Sequence, residues 1–394
     1  MDVFKMVEDY KNEMIESLRK FISINSVNPS GGGPGEKEVA DWLESLLNDM
    51  NFPLIDRFDP VDDNGIVRSS LIAKIPGKSS KTLWIVTHID TVPEGDLSLW
   101  DHDPFDPVVE DDKIYGRGSE DNGGSMVASI YAAKAFLDSG VVPNYTLGLA
   151  LVADEEAGSD WGISYLIKKN VFDRDDLFLV PDAGNSKGDF IEIAEKSILW
   201  LKFEVQGKQG HASVPEVSDN ALRKGVALIS ELDKFLHEKF SDRDDLFEPS
   251  ESTFEPTKVE KTVDNVNTIP GKFVFYFDCR VLPKHSLDEI LEIAKSTANK
   301  YDAKVFVDQR FDAPEPTSPD SEIAIRLKET IERLRGFTPK LGGIGGGTCA
   351  AHFRKAGWDA VVWSTIDETA HQPNEYKRIS HMVEDAKVFS GLFI

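Results

Sequence analysis

The stretch Leu83–Asp90, which reads LWIVTHID, constrains the possible fold more than any other part of the chain. Its apolar half, Leu83–Val86, ends abruptly at Thr87 and His88. A short apolar run bounded by polar residues is typical of a strand that is buried on both faces. Ligand sites in open α/β sheets gather beyond the carboxyl ends of the strands. A histidine at this end, with Asp90 two residues later, therefore predicts a metal site.

Two further apolar runs end in similar residues. The run TLGLALV is followed by Asp154, Glu155 and Glu156, and the run LFLV is followed by Asp182. One histidine after a strand is usually a hydrogen-bonded structural residue, and one acidic group is usually part of the surface. Three strand ends that all carry possible metal ligands form a much more specific pattern, and they predict a shared site.

Two other segments add possible ligands. The turn GRGSEDNGG presents Asp121 just before a predicted helix, and His371 lies in the loop AHQPNEY. Two histidines with several carboxylates suit zinc, cobalt or manganese, and thiolate ligation is not indicated. Because the acids outnumber the needs of one zinc ion, the sequence predicts a pair of metal ions.

A pair of metal ions about 3.5–4 Å apart requires a bridging carboxylate, terminal ligands for each ion and a bridging water. A further carboxylate must take the proton from that water. Glu155 and Glu156 could divide these roles, with one binding metal while its neighbour faces the water. Asp90 suits an outer position, where its carboxylate accepts the second ring N–H of His88.

Composition narrows the partners and the compartment. The formal net charge of −25 argues against nucleic acid and anionic membranes, which require basic patches. Cys279 and Cys349 are far apart in sequence, so a disulfide framework is not expected and a reducing compartment fits. The N-terminal segment is rich in acids and lacks the apolar region of a signal peptide. The expected location is the cytoplasm.

Alternating strand and helix patterns imply a largely parallel sheet in residues 1–195 and 313–394. The pattern of residues 196–312 instead suits a small α+β domain, with helices on one face of an antiparallel sheet, inserted into the larger domain. Helices are predicted near 2–22, 123–138, 160–169, 218–239, 286–299, 320–335 and 380–392, with Asp2 as a possible cap of the first and Glu248–Thr257 as a polar loop. Strands are predicted near 52–58, 67–75, 82–87, 146–152, 177–180, 197–205, 272–280, 303–309 and 359–364.

Eight motifs in the same order make the chain similar to a known family. They are THIDTVP, YGRGSEDNGG, ADEEAGS, PDAG, QGHASVP, NTIPG, FDCRVLP and AHQPNE, and they span nearly the whole chain. With them the chain resembles the dinuclear zinc metallopeptidase and deacylase family. That family includes acetylornithine deacetylase, succinyl-diaminopimelate desuccinylase, glutamate carboxypeptidase and the cytosolic dipeptidases.

The resemblance implies a fold and a ligand set. The fold is a zinc-exopeptidase-like α/β/α catalytic domain with an inserted α+β, ferredoxin-like lid and dimerisation domain. Two divalent metal ions are implied, zinc in the first place and cobalt or manganese as alternatives. Asp121 would bridge them, His88 and Asp182 would complete one site, and Glu156 and His371 would complete the other.

The resemblance also implies roles around the metals. Glu155 would be the general base and Asp90 the acid that orients His88. His211, in QGHASVP, would reach a substrate carbonyl or oxyanion, in dimeric relatives from the partner subunit. Further residues match positions that bind the carboxylate end of the substrate, some of them in the glycine-rich run Gly342–Thr348. Substrate contacts are therefore implied for Asn267, Arg280, Gly346 and Thr348.

Simpler interpretations of these residues remain open. Arg280 could be one half of a structural salt bridge, and His211 could be a surface histidine in a turn. The glycines of Gly342–Gly347 could serve as a hinge. His352, one helical turn beyond Thr348, is expected to be structural.

The predicted activity is hydrolysis of the amide bond of an N-acyl amino acid by a metal-bridged water, as in succinyl-diaminopimelate desuccinylase or acetylornithine deacetylase. Two departures favour a dipeptidase or carboxypeptidase of short peptides as the alternative. Residue 182 is Asp where desuccinylases usually have Glu, and Asp121-Asn122 resembles the dipeptidases. A non-catalytic metal-binding relative is a third reading, disfavoured by Glu155. The resemblance also implies a homodimer.

Overall fold

The computed structural model describes residues 2–394. Its helices are α1 (Val3–Asp9), α2 (Lys11–Ile22), α3 (Lys37–Asp49), α4 (Gly124–Ser139), α5 (Ile163–Lys168), α6 (Ala221–Lys239), α7 (Leu287–Asn299), α8 (Glu322–Arg335), α9 (Cys349–Lys355) and α10 (Ile379–Gly391). The longer helices agree with the prediction, except that the first predicted helix is interrupted at Tyr10. Asp2 caps α1, since its side chain accepts a hydrogen bond from the backbone N–H of Phe4.

The strands carry most of the corrections to the predicted secondary structure. They are β1 (Leu54–Phe58), β2 (Ser70–Ile75), β3 (Thr82–His88), β4 (Val108–Glu110), β5 (Lys113–Tyr115), β6 (Thr146–Val152), β7 (Leu177–Asn185), β8 (Phe190–Glu195), β9 (Ser197–Gln206), β10 (Gly210–His211), β11 (Thr253–Val259), β12 (Thr268–Ile269), β13 (Lys272–Val281), β14 (Ala303–Phe311), β15 (Lys340–Ile344), β16 (Ala360–Thr365) and β17 (Tyr376–Arg378). The prediction of Glu248–Thr257 as a loop is wrong at its end, because β11 begins at Thr253.

Contacts divide the chain into two compact units. The larger unit comprises the residues up to Ile193 together with Pro316–Leu341 and Thr348–Ile394, and the smaller one comprises Ala194–Glu315 and Gly342–Gly347. The glycine-rich run thus groups with the smaller unit, whereas the sequence assigned it to the larger domain. The roles of lid and dimerisation domain stay predictions.

The larger unit is built on an eight-stranded mixed sheet with the order β1-β2-β6-β3-β7-β16-β8-β15. Its centre is parallel, since β3 pairs in parallel with both β6 and β7, and β16 pairs in parallel with β7. The flanking β2 and β8 pair antiparallel. All seven residues of β3 are buried, as expected for a strand covered on both faces. The carboxyl ends of β6, β3 and β7 therefore lie side by side.

The smaller unit contains a four-stranded antiparallel sheet with the order β11-β13-β9-β14. Its core is formed by alternate residues of these strands together with apolar residues of α6 and α7, and Phe203 and Phe275 stack there with ring centres 4.7 Å apart. Pro256 lies within the edge strand β11, a position that tolerates the missing N–H.

Within residues 2–394, every helix is too short or too polar to span a membrane.

Candidate metal centre

The side chain of His88, at the carboxyl end of β3, faces two carboxylates. Its Nε2 lies 2.8 Å from Oδ1 of Asp121 and 3.4 Å from Oδ1 of Asp182. Its Nδ1 lies 2.9 Å from the backbone oxygen of Asp90, which can only accept a hydrogen bond. Nδ1 is therefore the protonated nitrogen, and the lone pair of Nε2 can be offered to a cation held with the two carboxylates.

Asp121 contacts both histidines of the predicted ligand set. Its Oδ1 faces His88, and its Oδ2 lies 3.0 Å from Nε2 of His371. Two groups of possible ligands result, His88 with Asp121 and Asp182, and Asp121 with Glu156 and His371. Within each group the ligand atoms lie within 4.8 Å of one another. One carboxylate thus belongs to both groups, as a bridging ligand must.

The two groups differ in exposure. The side chain of His88 is 2% exposed, whereas that of His371 is 54% exposed. His371 reaches both Asp121 and Glu156, with Nε2 3.2 Å from Oε2 of Glu156. The first group is therefore the more buried of the two, and the second opens to solvent at His371.

The pKa values of the clustered side chains reflect the negative charge that is concentrated there. Burial lowers the pKa of His88, but hydrogen bonds with Asp121 and Asp182 outweigh burial and raise that pKa well above its ordinary value. Hydrogen bonds with Asp121 and Glu156 raise the pKa of His371 to about 10. Burial and the charge of Asp121 raise the pKa of Glu156 to about 7. Two imidazoles and three carboxylates in two groups fit two divalent cations, whose charge would replace these protons.

Glu155 differs from its neighbours because its carboxylate is free. The backbone N–H of Glu155 donates to Asp90, but its side-chain carboxylate forms no hydrogen bond or ion pair with any residue in the range 2–394. The residue is nevertheless only partly exposed. Burial, followed by the charge of Asp182, raises the pKa of Glu155 well above its ordinary value. A carboxylate beside the ligands that binds none of them has the properties of a general base.

The carboxylate of Asp90 faces more groups than His88. Its Oδ1 is 3.6 Å from Nδ1 of His88, too far for a normal hydrogen bond, and the backbone carbonyl of Asp90 accepts that proton instead. The carboxylate accepts the backbone N–H groups of Glu155 and Glu156 at 3.1 and 3.2 Å, and the side-chain amide of Asn28 at 2.7 Å. The carboxylate of Asp90 therefore supports the two glutamates directly, and its role as the acid that orients His88 stays a prediction.

Several positioning residues escaped the sequence reasoning. Asn122 donates from its amide to Oδ1 of Asp182 at 2.8 Å and to the backbone oxygen of Pro181 at 2.9 Å. Asn28, in the connection between α2 and α3, donates its side-chain amide to the carboxylate of Asp90 at 2.7 Å. Asn122 lies beside Asp121 in a turn that was interpreted for its acids, whereas no local signal pointed to Asn28.

His211 and Asn267 are neighbours in the smaller unit. The short strands β10 and β12 pair there, and the backbone N–H of Ala212 donates to the carbonyl of Asn267 at 2.9 Å. The backbone N–H of Ser213 donates to Nδ1 of His211 at 3.2 Å, and the Ser213 hydroxyl lies 2.7 Å from the same nitrogen. Since Nδ1 is an acceptor, neutral His211 carries its proton on the exposed Nε2, which can donate to a substrate oxygen.

Arg280 is held by partners within its own unit. Its Nε and one terminal nitrogen donate to the two carboxylate oxygens of Asp278 at 2.7 and 3.0 Å, and the other terminal nitrogen donates to the carbonyl of Gly345 at 2.8 Å. The structure thus joins Arg280 to the glycine-rich run, where a Cβ on Gly346 would meet no close neighbour. Thr348 also caps α9, because its hydroxyl accepts the N–H of Ala350 at 3.1 Å, and its contact with the substrate stays a prediction.

A family model agrees with this geometry. The model described as peptidase family M20/M25/M40 matches residues 84–394. The chain belongs to this family. It is 41% identical to an uncharacterised metallohydrolase of Methanocaldococcus jannaschii, with 97% of this chain and 98% of that protein covered. The chain is therefore a metal-dependent hydrolase of amide bonds, and its metal binding rests on both the family and the two ligand groups.

More distant similarities cover almost the whole chain. A succinyl-diaminopimelate desuccinylase of Nitratiruptor is 26% identical, with 92% of this chain and 94% of that protein covered. Human carnosine dipeptidase 1 has a similar fold, with a TM-score of 0.78 at 17% identity and coverage of 99% of this chain and 97% of that one. The resemblance inferred from the motifs and the α/β fold class are thereby confirmed.

Proposed function

We propose that this hydrolase cleaves the amide bond of an N-acyl amino acid, with two divalent ions held by His88, Asp121, Glu156, Asp182 and His371. Zinc suits these ligands best, and cobalt or manganese are the alternatives. The ions would lower the pKa of a water molecule and polarise the amide carbonyl. The observation that supports the proposal most is the free carboxylate of Glu155 beside two ligand groups that share Asp121.

Three residues have separate roles in the proposed reaction. Glu155 accepts the proton of the attacking water and later donates it to the leaving amine. Asp90 keeps Glu155 and Glu156 in place through their backbone N–H groups. His211 donates its Nε2–H to the developing oxyanion, and we propose that a second copy of the chain supplies it.

The substrate is proposed to carry a free carboxylate. Arg280 keeps N–H groups beyond those used by Asp278 and Gly345, because a guanidinium has five. Asn267 and the backbone N–H groups near Gly346 are the proposed additional contacts. The similarity to a succinyl-diaminopimelate desuccinylase supports an N-acyl amino acid as the first candidate.

One contact favours a second candidate, a dipeptidase or carboxypeptidase of short peptides. Asn122 and Asp182 are the two departures from the desuccinylase pattern, and they are hydrogen-bonded to each other at 2.8 Å. The shorter acid and the asparagine therefore form a matched pair rather than two unrelated changes. The fold shared with human carnosine dipeptidase 1 is compatible with this candidate.

A substrate panel separates the two candidates. The protein, freed of metal and then loaded with zinc, cobalt or manganese, is offered N-succinyl and N-acetyl amino acids and dipeptides. Release of the acyl group with dipeptides uncleaved supports the first candidate, and the reverse result supports the second. The E155Q variant, prepared identically, controls for contaminating hydrolases. Absence of turnover on every substrate, with metal bound, would overturn both.

We further propose a homodimer that forms through the smaller unit. The edge strand β14 exposes apolar residues, with Phe306 45% exposed, whereas the other edge, β11, contains Pro256; both strands have one register shift. An open apolar edge can pair with a second copy, while a proline blocks pairing. On α6, Val226 is 56% exposed and lies one turn from the exposed Leu222. Sedimentation of the F306K variant as a monomer, while the wild type sediments as a dimer, is the expected result.

The proposed location is the cytoplasm. Cys279 and Cys349 are both free thiols buried in the structure. Free thiols are typical of a reducing compartment.

A further inference from the structure

Glu120, the residue before Asp121, binds the loop that carries His371. Its carboxylate accepts the backbone N–H of Asp367 at 2.7 Å and the hydroxyl of Thr369 at 2.8 Å, and also the backbone N–H of Thr369. Glu120 is buried although it lies in a polar turn. Both residues that its carboxylate binds lie two to four positions before His371.

Glu375, four residues after His371, makes the reverse connection. Its carboxylate accepts the backbone N–H groups of Gly118, Glu120 and Asp121 at 3.0, 2.9 and 3.0 Å. The guanidinium of Arg117 donates to it at 2.6 Å. The turn that presents Asp121 is therefore wrapped around a fully buried carboxylate from the other segment.

The turn that presents Asp121 and the loop that carries His371 thus stabilise each other. The His371 loop requires such support because of its backbone conformation. Glu368, His371 and Asn374 have φ values of 59°, 63° and 59°, in the left-handed region that residues other than glycine rarely occupy. A backbone of this kind persists only where its surroundings determine it. The hydrogen bonds that the carboxylate of Glu120 accepts from Asp367 and Thr369 fix the backbone directly before His371.

We propose that Glu120 and Glu375 are positioning residues that set the metal affinities of the two ligand groups separately. Glu120 supports His371, which belongs to the second group alone. Glu375 supports Asp121, which belongs to both groups. This inference rests on the proposed ligand roles, and it assigns each buried carboxylate a different effect on metal binding.

Substitution by glutamine tests the proposal with little change of shape. Glutamine retains one acceptor oxygen but turns an NH₂ donor toward N–H and O–H donors, so part of each set of contacts is lost. Loss of an outer partner of a metal ligand typically costs about 10–100-fold in affinity. E120Q should therefore weaken one of two metal sites by about 10–100-fold, and E375Q should weaken both.

The measurement is calorimetric titration of metal-free protein with zinc in competition with a chelator. The matched control is D176N. Asp176 is also buried and accepts the N–H of Thr82 and the indole N–H of Trp84, but it lies at the amino end of β3. D176N should lower the unfolding temperature and leave both affinities unchanged. A purely structural role of Glu120 would give the same result as this control.

Folding is checked by thermal unfolding of each metal-free variant. If E375Q or E120Q does not fold, T369V removes the hydroxyl that donates to Glu120 and that also accepts the backbone N–H of Tyr376. T369V keeps the carboxylate of Glu120 and should weaken the second group alone, by less than E120Q does. Two unchanged affinities in a folded E120Q or T369V would overturn the inference. Equal weakening of both sites by E120Q would overturn it as well. A wild type that binds fewer than two ions would instead overturn the proposed two-metal function, and the separate roles would fall with it.

Discussion

The two units place their predicted functional residues in different ways. In the larger unit, five possible metal ligands converge in two groups, with ligand atoms within 4.8 Å of one another in each. In the smaller unit, His211 and Arg280 each bind a local partner, Ser213 and Asp278. The metal centre is thus assembled by one sheet and its loops, because neighbouring parallel strands end together. In the smaller unit the side chain of His211 is exposed and that of Arg280 is partly exposed, so both are oriented but still accessible.

The sharpest test of the larger unit is E155Q. Glutamine cannot accept the proton of the attacking water, so kcat should fall by about 10³-fold, within the range typical of a general base. The metal content should remain two ions per chain, because Glu155 belongs to neither ligand group. Metal analysis and kcat are measured on the same preparation. H371A is the matched control, since it should lower the metal content. Near-normal turnover by E155Q would remove Glu155 from the mechanism.

In the smaller unit, H211A should cause the next largest loss. Removing one donor to an oxyanion typically lowers kcat by about 10²–10³-fold. Metal content and the unfolding temperature should not change, because the side chain of His211 is exposed and hydrogen-bonds only to Ser213 of its own turn. Nitrogen-15 NMR of the neutral imidazole should show the proton on Nε2. H237A, another exposed histidine of this unit, serves as the control. Equal turnover of H211A and H237A would leave the smaller unit without a part in the chemistry.

R280A should affect binding more than turnover. A hydrogen bond to a charged group contributes about 1.5–3 kcal/mol, so KM should rise about 10–100-fold with kcat nearly unchanged. The effect should vanish for substrates whose carboxylate is blocked as an amide. R243A is the control, because the side chain of Arg243 is largely exposed. If R280A changes stability and leaves KM unchanged, Arg280 is one half of a structural pair with Asp278.

Much of the metal centre could be predicted because it depends on local pattern. The apolar runs before His88, Glu155 and Asp182 indicated buried strands, and parallel pairing of β3 with β6 and β7 brings their ends together. The Asp121 turn and the His371 loop were recognised only through motifs of a known family. Their meeting depends on contacts between segments some 250 residues apart in the chain.

The unpredicted parts depend on such long-range contacts or on sheet edges. Glu120 and Glu375 look like surface acids, because nothing local shows that each is surrounded by N–H groups of the other segment. β11 was missed because an edge strand tolerates Pro256, whereas the proline suggested a loop. The pair of Asp278 and Arg280 did carry a local signal, since residues two apart on a strand share a face.

The smallest expected effect concerns the thiol reactivity of the two cysteines, one in each unit. Burial, followed by the charge of Asp278, raises the pKa of Cys279 to about 12. Burial and the charges of Glu155 and Asp182 raise the pKa of Cys349 well above its ordinary value. Both thiols should therefore resist alkylation at pH 8 in the native protein and react only after unfolding, as mass spectrometry can show.

The raised pKa of Cys279 also gives a sign to the pH dependence of stability. A thiol whose pKa is higher in the folded state binds its proton more tightly there. The stability that Cys279 contributes is therefore fully present below the pKa of the unfolded chain, near 9, and is lost as the pH rises toward the folded-state pKa of about 12. At pH 10 the loss is about 1 kcal/mol. In urea unfolding, C279A should therefore lose less stability than the wild type between pH 8 and 10, because all other titrating groups are shared. Parallel losses in the two proteins would show that Cys279 ionises as easily in the folded unit as in the unfolded chain.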